Sequence, residues 1–165
     1  MTETQKIIPF LWFNRDAADA VAFYISVFGG HEIRRLDYPE GVETPGGTPG
    51  ALCTIDFEIK DMRLTALNGG TDPVHTDATS LMVLCEDQAE LERIWQAILD
   101  GGGKGIACAW IHDRWGLRWQ IVPKSLMDLY ATGDSAAIAR AFKLMLTMVK
   151  LDGPALAAAA RNKAA

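Results

Sequence analysis

The sequence predicts an α+β fold: tandem βαβββ units contributing mixed sheet, followed by C-terminal helices. Three observations carry this. First, Asp16 and Asp87 each open a helical apolar pattern that closes on a glycine pair, Gly29-Gly30 and Gly101-Gly102. Second, Tyr24 and Trp95 both stand eight residues beyond that aspartate. Third, an offset of 55 residues lays Cys53 on Cys108, Arg63 on Arg118 and Thr65 on Gln120. The organisation expected is unit one over about 6–70, unit two over about 78–124, and a helical extension over 125–165.

Each element follows from local pattern. Lys6 to Phe13 is apolar and aromatic, as a buried strand is. Asp16 is placed to accept bonds from the free amides of a first helical turn. Ala20, Val21, Phe23, Tyr24 and Val27 then recur at helical spacing. A strand is expected around Glu32 to Leu36, and a loop over Asp37 to Gly50, where Pro45-Gly46-Gly47-Thr48-Pro49 opposes regular structure. From Ala51 to Ile59 apolar and polar residues alternate, with Cys53, Ile55 and Phe57 on one face and Thr54, Asp56 and Glu58 on the other. Lys60-Asp61 turns into a strand over Met62 to Leu67. In the second unit, Ser80 to Cys85 is a strand, and Asp87 with Glu90 has capping-box spacing. Leu91, Ile94, Trp95, Ile98 and Leu99 form one helical face. Strands are expected over Ile106 to His112 and Leu117 to Val122, with Pro123 as the stop. Asp134 starts a helix with an apolar stripe from Ile138 through Phe142 and Met145 to Met148 and Val149. Asp152-Gly153-Pro154 starts another, and its alanine-rich tail is expected to fray because alanine buries little surface.

Composition excludes several classes. Of 165 residues, 49% are hydrophobic and 22% charged, which is a globular balance rather than a disordered one. The net charge of −5 lacks the basic excess of a nucleic-acid binder. No stretch approaches the roughly 18 apolar residues of a membrane span, and Met1 to Lys6 lacks the pattern of a secretory leader. Three cysteines without CxxC spacing fit reduced thiols in the cytoplasm.

Particular words in the chain go further. They are Ile8-Pro9-Phe10-Leu11-Trp12-Phe13, Ala22-Phe23-Tyr24, Val27-Phe28-Gly29-Gly30, Ala66-Leu67-Asn68-Gly69-Gly70, Cys85-Glu86-Asp87-Gln88-Ala89-Glu90, Cys108-Ala109-Trp110 and Met148-Val149-Lys150-Leu151-Asp152. The most specific runs from Asp113-Arg114-Trp115-Gly116 through Trp119-Gln120-Ile121-Val122-Pro123. Together these resemble the PhnB-like group of the vicinal oxygen chelate superfamily, the scaffold of glyoxalases, bleomycin-resistance proteins and extradiol dioxygenases. The group carries the label 3-demethylubiquinone-9 3-methyltransferase. The resemblance implies that the strands form an open cup, completed or stabilised by a homodimer, and that superfamily enzymes hold one divalent metal there.

Carried over, the metal positions fall on Pro9, Thr65, Ser80 and Gln120. Proline has no ligand atom and hydroxyls are weak ligands, so only Gln120 suits a metal and no conventional site is expected. His31 and His75 add nothing; His112 beside Asp113 has the spacing of a base with a carboxylate neighbour, or of a plain strand-end residue. The methyltransferase label is not supported either. The glycine run Gly101-Gly102-Gly103 follows a helix, which is the wrong order for a nucleotide-binding turn.

Alternation then gives a candidate cup lining: Leu11, Phe13, Arg63, Thr65, Met82, Leu84, Arg118 and Gln120, with Cys108, Trp110 and His112 from the neighbouring strand. An apolar wall with two arginines suits an apolar ligand bearing an anionic or carbonyl group; alternatively the arginines make ion pairs with Asp56, Glu58 or Asp113 at the rim. The functions expected are a small-molecule binder without cofactor or metal, a glyoxalase- or dioxygenase-like enzyme of lyase, isomerase or oxygenase type, or a structural dimer whose helices meet a partner. No catalytic residue is assigned.

Overall fold

The computed structural model describes residues 5–162. Two compact units divide between Val74 and His75. The first contains β1 (Phe10–Phe13), α1 (Ala17–Phe28), β2 (His31–Asp37), β3 (Leu52–Ile59) and β4 (Met62–Asn68). Its four-stranded mixed sheet has the order β1-β4-β3-β2, with β1 parallel to β4 and the other pairs antiparallel. The second contains β5 (Leu81–Cys85), α2 (Gln88–Asp100), β6 (Lys104–Gly105), β7 (Trp110–His112) and β8 (Arg118–Pro123), in the corresponding order β5-β8-β7-β6. It continues through α3 (Lys124–Ala131), α4 (Ser135–Met145) and α5 (Gly153–Arg161). The tandem βαβββ reading therefore holds, as an α+β fold with two four-stranded sheets.

Each sheet buries one face under its helix. In unit one, Tyr24 of α1 stacks on Phe57 and tilts against Phe13, over a floor of Ile55, Leu64 and Ala66. In unit two, Leu91, Ile94, Trp95 and Ile98 of α2 are buried, as are Val83, Ile111, Trp119 and Ile121 of the sheet. Fully burying a large apolar side chain is worth about 1.5–3 kcal/mol, so these two layers supply most of the drive to fold.

The aspartates at the helix starts behave differently. Asp87 Oδ1 accepts from Glu90 N at 2.8 Å, as the capping-box spacing predicts, while Glu90 Oε2 reaches one residue past the cap and accepts from Glu86 N at 2.9 Å. Asp16 makes no side-chain cap bond. The first amide of α1, on Ala17, donates instead to Asn68 Oδ1 at 2.9 Å, so β4 caps the helix that packs on it.

Several boundaries differ from the sequence reading. The first strand begins at Phe10 rather than Lys6. The expected strand from Ile106 to His112 is interrupted, because Cys108 and Ala109 adopt positive φ of 49° and 77°. Their amides donate to Met148 O at 2.8 Å and Val149 O at 3.0 Å. Met148 and Val149 therefore lie beyond the end of α4, in a turn bonded to the sheet, and do not continue the helical stripe. Gln88 reaches the same region: its amide donates to Leu151 O at 3.1 Å and its Oε1 accepts from Gly153 N at 2.9 Å. The alanine-rich helix is likewise held. Asp152 caps it through Ala155 N at 2.8 Å, Ala160 is buried with Ala137 and Ala141, and Arg140 donates to the Ala159 and Ala160 carbonyls. A cation on the last carbonyls opposes the fraying expected from composition alone; residues 163–165 of that tail lie outside the described residues.

Candidate functional site

Each sheet has a second face that its helix does not cover, and pairing register assigns residues to it because directly paired residues share a face. In unit one, Phe10 pairs with Thr65 and Trp12 with Leu67; Thr65 pairs in turn with Asp56, Leu67 with Thr54 and Arg63 with Glu58. This open face presents Phe10, 59% exposed, and Trp12, 42% exposed. The indole of Trp12 lies against Gly69, where any Cβ would collide with the ring. Behind the aromatics is a polar set. Asp56 Oδ1 accepts from the Thr65 hydroxyl at 2.8 Å, and its Oδ2 accepts from Arg34 Nη2 at 2.7 Å and Nε at 3.1 Å. The backbone of Arg63 is clasped by the Gln5 amide, while its side-chain Nε is buried with no hydrogen-bond partner.

In unit two, Met82 and Trp110 pair with Gln120, Leu84 pairs with Val122, and His112 pairs with Arg118. Met82 and Leu84 are half exposed. The Gln120 amide donates to the Ser80 hydroxyl at 2.8 Å. Arg118 donates through Nε to Asp77 Oδ1 at 2.6 Å and through Nη1 to Gly116 O at 2.5 Å. The His112 Nδ1 lies 2.9 Å from Asp113 O. A carbonyl only accepts, so this bond requires a proton on Nδ1. The Asp113 carboxylate is not its neighbour in the catalytic sense. It is 1% exposed and accepts from Trp115 N and Leu117 N through Oδ1 and from Trp119 Nε1 through Oδ2. That is a turn-building role, which the position of Asp113 ahead of Trp115-Gly116 predicts.

The candidate lining therefore divides. Arg63 and Thr65 fall on the open face of unit one, and Met82, Leu84, Trp110, His112, Arg118 and Gln120 on that of unit two. Leu11 and Phe13 do not belong there. They pair with Ala66 and Asn68, are 7% and 2% exposed, and pack on the helix side. Phe10 and Trp12 take the places assigned to them. The cause is one residue of connection: two residues separate Phe13 from Asp16, but one separates Cys85 from Asp87. Aligning the aspartates thus shifts one strand by one position, which exchanges its faces. Cys108 also leaves the lining, since its left-handed turn directs Sγ to Met145 O at 3.6 Å. The rim ion pairs differ as well: Arg118 joins Asp77 and Arg34 joins Asp56.

The donors fit the superfamily's metal poorly. With the strand shift applied, the unit-one equivalent of Ser80 is Ile8, which has no ligand atom. Thr65 and Gln120 are engaged with Asp56 and Ser80. Among the described residues no group of three or more His, Cys, Asp and Glu side chains is gathered to hold a metal ion. A hydroxyl and an amide cannot replace the carboxylate and imidazole donors such a centre uses.

Residues 5–122 match the family model described as 3-demethylubiquinone-9 3-methyltransferase. Among solved structures, a putative 3-demethylubiquinone-9 3-methyltransferase, PhnB protein, from Bacillus cereus is 23% identical, with a TM-score of 0.62 over 72% of this chain and 99% of that one. Protein PA1353 from Pseudomonas aeruginosa is 19% identical, with a TM-score of 0.59 over 73% and 98%. The fosfomycin resistance protein FosX from Mesorhizobium loti is 14% identical, with a TM-score of 0.57 over 79% and 99%. These likenesses give the vicinal oxygen chelate fold. No curated protein matches the chain.

Proposed function

Because this chain belongs to the 3-demethylubiquinone-9 3-methyltransferase family, whose scaffold presents open sheet faces, we propose that it binds a small organic molecule there without a conventional metal site. One observation carries the reading: half-exposed Met82 and Leu84 stand on the same sheet face as the guanidinium of Arg118 and the amide of Gln120. An apolar surface with a few placed polar groups is what small-molecule sites consist of. Thr65, Arg63, Phe10 and Trp12 offer a comparable surface on the first unit. Methyl transfer is not part of the proposal. Gly101 and Gly102 donate to Ala97 O and Leu99 O, which is helix termination.

We further propose a cytoplasmic homodimer. Cys53, Cys85 and Cys108 are not joined in disulfides, in keeping with a reducing compartment, and no helix among the described residues is long and apolar enough to cross a membrane. Sedimentation velocity should give about twice the 18.0 kDa chain mass; a single species at the chain mass would refute the dimer.

The functional test is a thermal-shift screen of small carbonyl and carboxylate compounds, run with and without divalent metal, since a ligand of the folded state raises apparent stability. Stabilisation by compounds alone is expected. Stabilisation only after Zn, Ni, Mn or Fe is added, with metal retained stoichiometrically, would favour the glyoxalase- or dioxygenase-like enzyme instead.

A further inference from the structure

Within unit two, the segment from His75 to Ser80 is neither helix nor strand, yet it follows the open face of β8. Asp77 meets Arg118, Ser80 meets Gln120, and the Cβ of His75 lies beside Gly116. The His75 Nε2 is buried there without a hydrogen-bond partner. The asymmetry of the ion pair is informative: the Arg118 side chain is 19% exposed and that of Asp77 70% exposed. Arg118 is thus a largely covered cation, held also by Gly116 O, and Asp77 is an exposed carboxylate laid on it from outside. Exposed ion pairs are weak and readily exchanged. A carboxylate on an apolar body gains the same charged hydrogen bond and also covers Met82, Leu84 and Trp110, which Asp77 cannot do.

We propose that Arg118 anchors the carboxylate of an apolar acid, and that Asp77 is this chain's own stand-in for that group, displaced when the acid binds. The inference deepens the binding reading above and rests on it. It names the ligand class, an apolar monocarboxylate, and a residue that sets the affinity for it. His112 is paired across from Arg118, and the buried, unpartnered His75 Nε2 belongs to the same segment as Asp77.

The test measures benzoate and neutral benzamide binding to the full chain by tryptophan fluorescence, in wild type, Asp77→Asn and Arg118→Gln. Asp77 is exposed, so its substitution leaves the fold in place, and circular dichroism checks Arg118→Gln. Removal of the internal competitor should tighten benzoate about threefold or more in Asp77→Asn and leave benzamide unchanged. Arg118→Gln should lose benzoate binding at least tenfold. Equal benzoate affinity in wild type and Asp77→Asn would overturn the stand-in role while leaving small-molecule binding intact. Undiminished binding in folded Arg118→Gln would overturn the anchor. Benzamide binding with no benzoate binding in any form would overturn the carboxylate anchor and the ligand class together, while leaving small-molecule binding intact.

Discussion

At the scale of single residues, the stability of the second sheet turns on Asp113. Three donors converge on its carboxylate, at 2.9, 3.1 and 2.9 Å, and the group is 1% exposed. Asp113→Ala would strand two backbone amides and the Trp119 indole. Unsatisfied buried donors cost about 1–3 kcal/mol each, less where water enters, so a loss of about 3 kcal/mol in chemical denaturation is expected. Asn68 has the matching role in unit one, where it holds Ala17 N and donates to Leu52 O at 3.1 Å. Asn68→Ala should cost about 1–3 kcal/mol by the same measurement. Tyr38 gives a pH dependence. Removal from water pushes its phenol above the ordinary value, and its hydroxyl donates to Asn68 O at 2.5 Å. A phenol whose folded pKa is raised favours the fold below its unfolded pKa, near 10, and loses that contribution as pH climbs through the folded value. Stability should therefore fall on the alkaline side of about pH 10, and Tyr38→Phe should flatten that fall in denaturation curves taken across the range.

At the scale of elements, the C-terminal helices belong to the second unit rather than hanging from it. Cys108 and Ala109 donate to the turn after α4, Gln88 clasps the start of α5, and Arg140 holds its end. Deleting residues 134–165 should thus broaden and lower the thermal transition of the chain; an unchanged transition would return these helices to the status of an appendage. The same elements show what patterning reveals. Helices α1 and α2 and strands β3, β4 and β8 are legible because each alternates or repeats at one clear period and, except for β3, which ends at the Lys60-Asp61 turn, stops at Gly or Pro. The break at Cys108-Ala109 was not, since neither residue is a usual carrier of positive φ and the carbonyls that favour it come from Met148 and Val149, about 40 residues on. Nor was the capping of α1, where Asp16 had the right chemistry but Asn68 makes the bond. The first strand is legible as an apolar run, but spacing from Asp16 alone exchanges its faces. A count of residues from the end of the apolar run to the aspartate, two in one unit and one in the other, was the signal that would have put Phe10 and Trp12 on the open face.

At the scale of the whole molecule, two units of matching strand order differ in the chemistry of their open faces. One carries Asp56 held between Arg34 and Thr65; the other carries Arg118 with a borrowed carboxylate. The positions that the resemblance assigns to a metal fall on side chains with no ligand atom or with hydroxyl and amide groups already bonded to neighbours. The proposed binding on the open face of unit two is tested by amide chemical-shift mapping of the isotopically labelled full chain with benzoate. Perturbations concentrated on Asp77, Met82, Leu84, His112, Arg118 and Gln120 are expected. Perturbations confined to the hollow of about 270 Å³ that α3 and α5 line with Leu126, Leu129, Leu156 and Ala160, with β5 and β8 silent, would contradict it.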